Sequence, residues 1–151
     1  MRRRKSRELA LIFLYQAEMR GELKDDASAA LDCFWQDQGV KDNEITEFSA
    51  MLVKGTLKNL PLIDEKISAS AINWSIKRMP CLDKNILRLA VFELLFIDSM
   101  PVLVSINEAI ELAKKYGAED SPRFINGVLH KIKEGIKEKE IDRAGKMKMA
   151  S

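Results

Sequence analysis

The chain has one histidine, two cysteines and four prolines among its 151 residues, and each scarcity excludes a kind of chemistry. His130 falls on the polar side of a predicted helix, so general acid–base work would rest mainly on carboxylates and lysines. Cys33 and Cys81 lie far apart with no ligand-like spacing, which points to reduced, buried thiols, with no disulfide and no metal site. No P-loop, dinucleotide fingerprint or nucleophile elbow occurs. No catalytic residue and no cofactor is therefore expected, and the protein reads as a non-enzyme. Long apolar runs are missing too: none approaches the ~20 residues that a helix needs to cross a bilayer. The run over residues 9–15 is short and lacks a small-residue cleavage site, so no signal peptide is expected and the location reads as cytoplasmic. Strand-like alternation, internal repeats and long linkers are also absent.

Acid is locally scarce as well. Residues 1–7 carry Arg2, Arg3, Arg4, Lys5 and Arg7 without one carboxylate, a local charge of +5 in a chain whose total is +2. Residues 131–151 add +3, which leaves the body between them at −6. An acidic globule with a concentrated basic arm suits binding a polyanion at one place better than coating it.

What the sequence does have is helical periodicity. The first helix is expected from about residue 4 to residue 20, ending at Gly21, with Leu9, Ile12, Phe13 and Ala17 on its core face. Arg4, Arg7, Glu8, Leu11 and Tyr15 share the other side. Arginines beside an exposed ring suit single-stranded nucleic acid, because cations meet phosphates while the ring stacks a base; the plainer alternative is a solvated charge run with Tyr15 on the core rim. Asp25 or Asp26 starts a second helix with Ala30, Leu31, Phe34 and Trp35 inward. Asp42 caps a third, whose stripe of Ile45, Phe48 and Leu52 continues to Gly55, a mark of close helix crossing. Pro61 breaks the pattern, Ile63 and Ile67 resume it, and a short helix or turn over 74–79 stops at Pro80.

The segment 83–98 is apolar nearly all round, which places it at the centre of a bundle. Asp83 suits its N-cap, with Leu82 and Leu87 as a hydrophobic staple. Arg88 and Glu93, five residues apart, are not an ideal intrahelical pair, so each is expected to find a partner on another helix or at a protein interface. The stretch 101–131 reads as a helical hairpin. Ser105 with Glu108 forms a capping box, Gly117 supplies a left-handed exit, and Ser121-Pro122 opens the last helix. There Ile125, Val128, Leu129 and Ile132 point inward, Phe124 sits at the margin of that face, and Arg123, Asn126 and His130 project from the other side.

The fold expected is all-α, a compact bundle of about seven helices in two helical subdomains. One domain spans 1–135, with a three-helix part to about residue 60 and a second part over 61–135. The charged, weakly apolar tail at 136–151 is expected to fray or be disordered.

The pieces RRRKSRELALIFLYQ at 2–16, Trp74, Arg78 and Asp83, ILRLAVFEL at 86–94, and the INEAIELAKKYG and SPRFINGVL segments together resemble the NusB family of bacterial transcription antitermination factors. The resemblance runs from residue 2 to about 133. His130, where the family more often has an acid, and the charged tail depart from its pattern. The resemblance implies a non-enzymatic, RNA-binding adaptor for the single-stranded boxA element of nascent ribosomal RNA leaders. It would act with the ribosomal protein NusE in a complex on RNA polymerase that suppresses termination. The RNA face implied comprises Arg2, Arg3, Arg4, Lys5, Arg7, Tyr15, Asp120, Arg123, Phe124 and Asn126, and the NusE face includes Asp83, Arg88 and Glu93. No membrane partner is implied, and exposed helical faces leave room for a homodimer. Two other readings stand beside it: an RNA-binding domain like those attached to rRNA cytosine methyltransferases, and a module that contacts only proteins.

Overall fold

A computed structural model describes residues 2–24, 26–72 and 74–150, with side chains as far as Ile136. Among them are seven α-helices and no strand: α1 Arg2–Met19, α2 Ser28–Gln38, α3 Asn43–Lys58, α4 Leu60–Ser70, α5 Cys81–Phe96, α6 Val102–Tyr116 and α7 Ser121–Ala150. A single 3₁₀ turn, Ile76–Arg78, lies between α4 and α5.

Helix α5 occupies the centre, as its all-round apolar pattern requires, and packs against α1, α3, α4, α6 and α7. Ile86, Leu87, Leu89, Ala90, Val91 and Phe92 are all buried. Helix α1 is the second axis. Leu9, Ala10, Leu11, Phe13, Leu14 and Ala17 are buried because α3 covers one flank and α5 another. This corrects the expected outer side of α1, since both Leu11 and Arg7 lie inside. A fully buried leucine contributes roughly 1.5–3 kcal/mol, so Leu11 belongs to the core and not to a surface stripe. Buried residues from every helix form one continuous core.

Several helix ends follow the sequence. Gly21 and Gly39, at φ 70° and 67°, take the left-handed conformation that ends α1 and α2. The Asp42 side chain accepts from the Glu44 amide at 3.0 Å and starts α3. Pro61 sits in the first turn of α4, where a missing N–H costs nothing. The expected crossing at Gly55 is present. A Cβ added there would lie 2.1 Å from Cζ of Phe92, so only glycine lets α5 approach this near.

Three starts and stops differ. Helix α5 begins at Cys81 and α6 at Val102, each directly after a proline, so Asp83 is not an N-cap and Ser105–Glu108 is not a capping box. The carbonyls of Pro80 and Pro101 open the ladders by accepting from Lys84 at 2.9 Å and Ser105 at 3.3 Å. Proline's fixed φ is preorganised for this position, and it moves each start two or three residues ahead of the polar side chain. Gly117 is extended, at φ −90° and ψ −173°, not left-handed. Its lack of a side chain matters for space, because a Cβ would come within 2.8 Å of Ser121. In α2, Ala30 faces solvent, whereas Leu31 and Phe34 are buried; Cys33 on the same helix is exposed and Cys81 only half-buried, so the thiols are not buried as expected. Helix α7 continues to Ala150 through the stretch for which composition suggests fraying. Of the two possible starts for α2, Asp25 lies outside the described residues and Asp26 accepts from the Ser28 amide at 3.2 Å.

Candidate nucleic-acid interface

The basic arm is the first two turns of α1, and the fold lays it between two acidic flanks. Arg2 donates to Asp42 at 3.1 Å and Glu44 at 3.0 Å, both at the start of α3. Ser6 hydroxyl donates to the Ile45 carbonyl at 2.9 Å, which holds the same turn against α3. Arg3 lies over the Phe48 ring, 4.7 Å from its centroid. On the other flank Arg4 donates twice to Glu108 of α6, at 2.7 and 3.2 Å. The Glu108 carboxyl is drawn below its ordinary range, first by that bond and then against burial by the charges of Arg4 and Arg7. Arg3 and Lys5 are exposed, and neither hydrogen-bonds or ion-pairs with a carboxylate among the described residues, although the Lys5 charge acts on Glu8.

Arg7 is turned inward. Its Nε and Nη2 donate to the two oxygens of Glu93 at 2.9 and 2.8 Å, and Nη1 reaches Glu108 at 3.3 Å. Glu93 also accepts from the Ser105 hydroxyl at 2.9 Å. The arm's cations therefore differ in kind. Exposed pairs such as Arg2–Asp42 are worth about 0–1 kcal/mol and exchange a carboxylate for a phosphate readily. Breaking a buried pair by removing one partner costs about 3–5 kcal/mol, so Arg7 stays with Glu93 and acts as scaffold.

Long side chains tie α1 to α6 in the same order along both helices. After Arg4–Glu108, Glu8 accepts from Lys115 at 2.6 Å and from the Tyr116 hydroxyl at 3.0 Å. Burial pushes the Glu8 carboxyl up, but those two bonds, with the charges of Lys115 and Lys5, outweigh it and leave it low. Tyr15, half-buried, follows Glu8 by two turns on the same side, roughly 10 Å farther along the axis. At the start of α7, Asp120, Arg123 and Asn126 are exposed, and Phe124 is half-buried with its ring set edge-on to Trp74, centroids 6.1 Å apart. The sequence places Phe124 at a margin correctly but gives no role to Trp74. The signal for it is a tryptophan in a stretch without apolar periodicity, just before Lys77 and Arg78.

Asp83, Arg88 and Glu93 are all buried, and each has its partners inside the molecule. Arg88 donates to Asp64 of α4 at 2.8 and 2.9 Å and to Glu18 of α1 at 2.6 Å. Lys84 pairs with the same Glu18. Burial lowers the Arg88 guanidinium, but Asp64 and Glu18 more than compensate and hold its proton tighter than usual. Burial raises the Asp83 carboxyl, a hydrogen bond with Ser121 opposes this, and the Asp120 charge adds to it. Ser121 in turn accepts from the Ala118 amide at 2.9 Å, so Asp83 supports the turn into α7 from below. Near the α5–α6 connection the large apolar side chains Phe96, Leu103 and Val104 are exposed, with Asp98 and Ser99 exposed between them.

Among the described residues no three His, Cys, Asp or Glu side chains group to hold a metal ion, and no helix is long and apolar enough to cross a membrane. The NusB family model matches residues 4–134. A transcription antitermination protein NusB from Desulfitobacterium hafniense is 44% identical over 140 residues, covering 93% of each chain. One from Anaeromyxobacter dehalogenans is 47% identical over 135 residues, 89% of this chain and 92% of its own. A solved complex of the antitermination factors NusB and NusE with double-stranded RNA contains a chain 28% identical to this one. Its TM-score is 0.79, over 89% of this chain and 97% of that one.

Proposed function

Because the chain belongs to the NusB family of non-enzymatic transcription antitermination factors, we propose that it binds boxA-type RNA in nascent ribosomal RNA leaders together with NusE. The observation that carries this reading is the pair Arg3 and Lys5. These cations stand exposed and outside the carboxylate hydrogen bonds and ion pairs of the described residues, on the helix that also carries the half-buried Tyr15, while Asp120, Arg123 and Asn126 stand exposed around Phe124 at the start of α7. Arg2 joins them by releasing its surface carboxylates, and Arg4 by turning away from the half-buried Glu108. The phosphates lie along α1, and single-stranded bases meet Tyr15 and Phe124 near the start of α7. The solved NusB–NusE complex with RNA supports the same pair of partners. Asp83, Arg88 and Glu93 serve the NusE surface from inside by fixing α5, and the exposed Phe96, Leu103 and Val104 offer the apolar contact.

The test is a titration of short single-stranded RNA, matched and scrambled, with and without NusE, across a range of salt. Replacing both Arg3 and Lys5 by alanine removes two phosphate contacts. The log–log salt slope then shrinks by about 1.4, at about 0.7 per phosphate on a single strand, with similar losses for both sequences. An unchanged slope and affinity would remove the arm from the interface and favour a module that touches only proteins.

A further inference from the structure

The α4–α5 connection carries exposed chemistry that neither the helical core nor the basic arm uses. Trp74 keeps 51% of its surface in solvent, which is unusual for the largest apolar side chain. It is held in place all the same. Its amide donates to the Ala71 carbonyl at 3.2 Å, and Ala71 and Met79 are buried on either side of the segment. Its ring meets Phe124 at an interplanar angle of 62°, so the contact uses an edge and leaves indole face open. The 3₁₀ turn that follows presents Lys77 and Arg78 to solvent, and Arg123 stands exposed beside Phe124 on α7. None of these three cations has an ion-pair partner among the described residues, whereas the arm's Arg2 and Arg4 both do. The exposed acids nearest in sequence are Glu65 on α4, before Lys77 and Arg78, and Glu119 and Asp120, just before Arg123.

We propose that Trp74, with Lys77 and Arg78, is a second RNA contact: a stacking platform continuous with Phe124 that extends the bound strand beyond the start of α7. This rests on the RNA-binding reading above. Two rings set at an angle cannot both stack on one base, but they can take successive unstacked bases of a single strand. Any base offers a π-face, so such a platform tolerates sequence. Lys77 and Arg78 on the adjoining turn supply the charge for the two phosphates that follow. An apolar protein partner would fit this patch less well, because unpaired cations flank the rings.

The chain has two tryptophans, and Trp35 is half-buried against Phe34. In a Trp35→Phe protein, Trp74 is therefore the only indole. Titration with a short single-stranded oligoribonucleotide should quench its fluorescence, with a midpoint matching binding measured independently. Trp74→Leu keeps the contact with Phe124 but cannot stack, and should weaken RNA binding roughly 5- to 150-fold with the salt slope unchanged. Trp74→Phe keeps a π-face and should bind close to wild type. Replacing Lys77 and Arg78 by alanine should reduce the slope by about 1.4. Wild-type affinity in a folded Trp74→Leu protein, alongside normal RNA binding by the parent, overturns this inference and leaves the arm intact. Loss of NusE binding with RNA affinity retained also overturns it. Absence of RNA binding by the parent itself would remove the underlying reading as well.

Discussion

Glu93 is reached by three donors and almost no water: Arg7 Nε, Arg7 Nη2 and the Ser105 hydroxyl. A carboxylate buried in an apolar helix must be paired, which is why the sequence predicts a partner on another helix for it. The spacing could not say which partner. Arg7 counts with the exposed arm until α3, α5 and α6 close around it, a long-range event that no local pattern records. The same holds for Arg88, whose partners Glu18 and Asp64 lie on α1 and α4. Replacing Glu93 by glutamine leaves the buried Arg7 charge with only the longer contact to Glu108, and chemical denaturation should show a loss of about 3 kcal/mol. Combining it with Arg7→Met should recover part of that loss, because the poorly compensated charge goes too. Equal stability of Glu93→Gln and wild type would mean that water reaches this pair.

Among the elements, helices with a strong apolar stripe were the most legible, and their ends depended on which residue took the capping role. Asp42 does cap α3, but Ser105 is drawn to Glu93 and Asp83 to Ser121, while Pro80 and Pro101 set where α5 and α6 begin. A polar side chain near a helix start has local and distant partners to choose from, and the sequence displays only the local one. Phe124 was legible as a marginal residue, but its neighbour Trp74 was not. Nothing in the spacing connects residue 74 with residue 124. The crossing of α3 and α5 was legible because glycine has no other use in that stripe. Gly55→Ala forces the Phe92 ring aside and should destabilise the protein by about 1–3 kcal/mol, typical of overpacking. Phe92→Leu in the same chain should relieve most of the strain. If the two substitutions simply add in a denaturation cycle, the contact is not what the glycine serves.

At the scale of the whole molecule, three carboxylates fasten α1 to its neighbours. Glu8 binds Lys115 and Tyr116 of α6, Glu18 binds Lys84 and Arg88 of α5, and Glu108 of α6 binds Arg4 and Arg7. Burial raises the Glu18 carboxyl, but Lys84, Arg88 and Asn85 outweigh it, so all three sit below their ordinary value in the folded protein. An acid held low when folded contributes stability that is complete above its unfolded pKa and lost as pH falls through the lower folded one. The loss should therefore set in below about pH 4.5. Asp83 acts in the opposite sense: its raised carboxyl costs stability when charged, and protonation relieves that cost, offsetting a part of the decline. Because the three low carboxylates all involve contacts of α1, acid should loosen that helix before the α5 core. Amide exchange in α1 would then accelerate ahead of exchange in α5 as pH falls from 5 to 3. A triple variant, Glu8→Gln, Glu18→Gln and Glu108→Gln, should be less stable at pH 7 and show a flatter acid limb. A steep loss beginning near pH 6, or α5 exchanging first, would place the acid-sensitive contacts elsewhere and detach the basic arm's anchorage from these three residues.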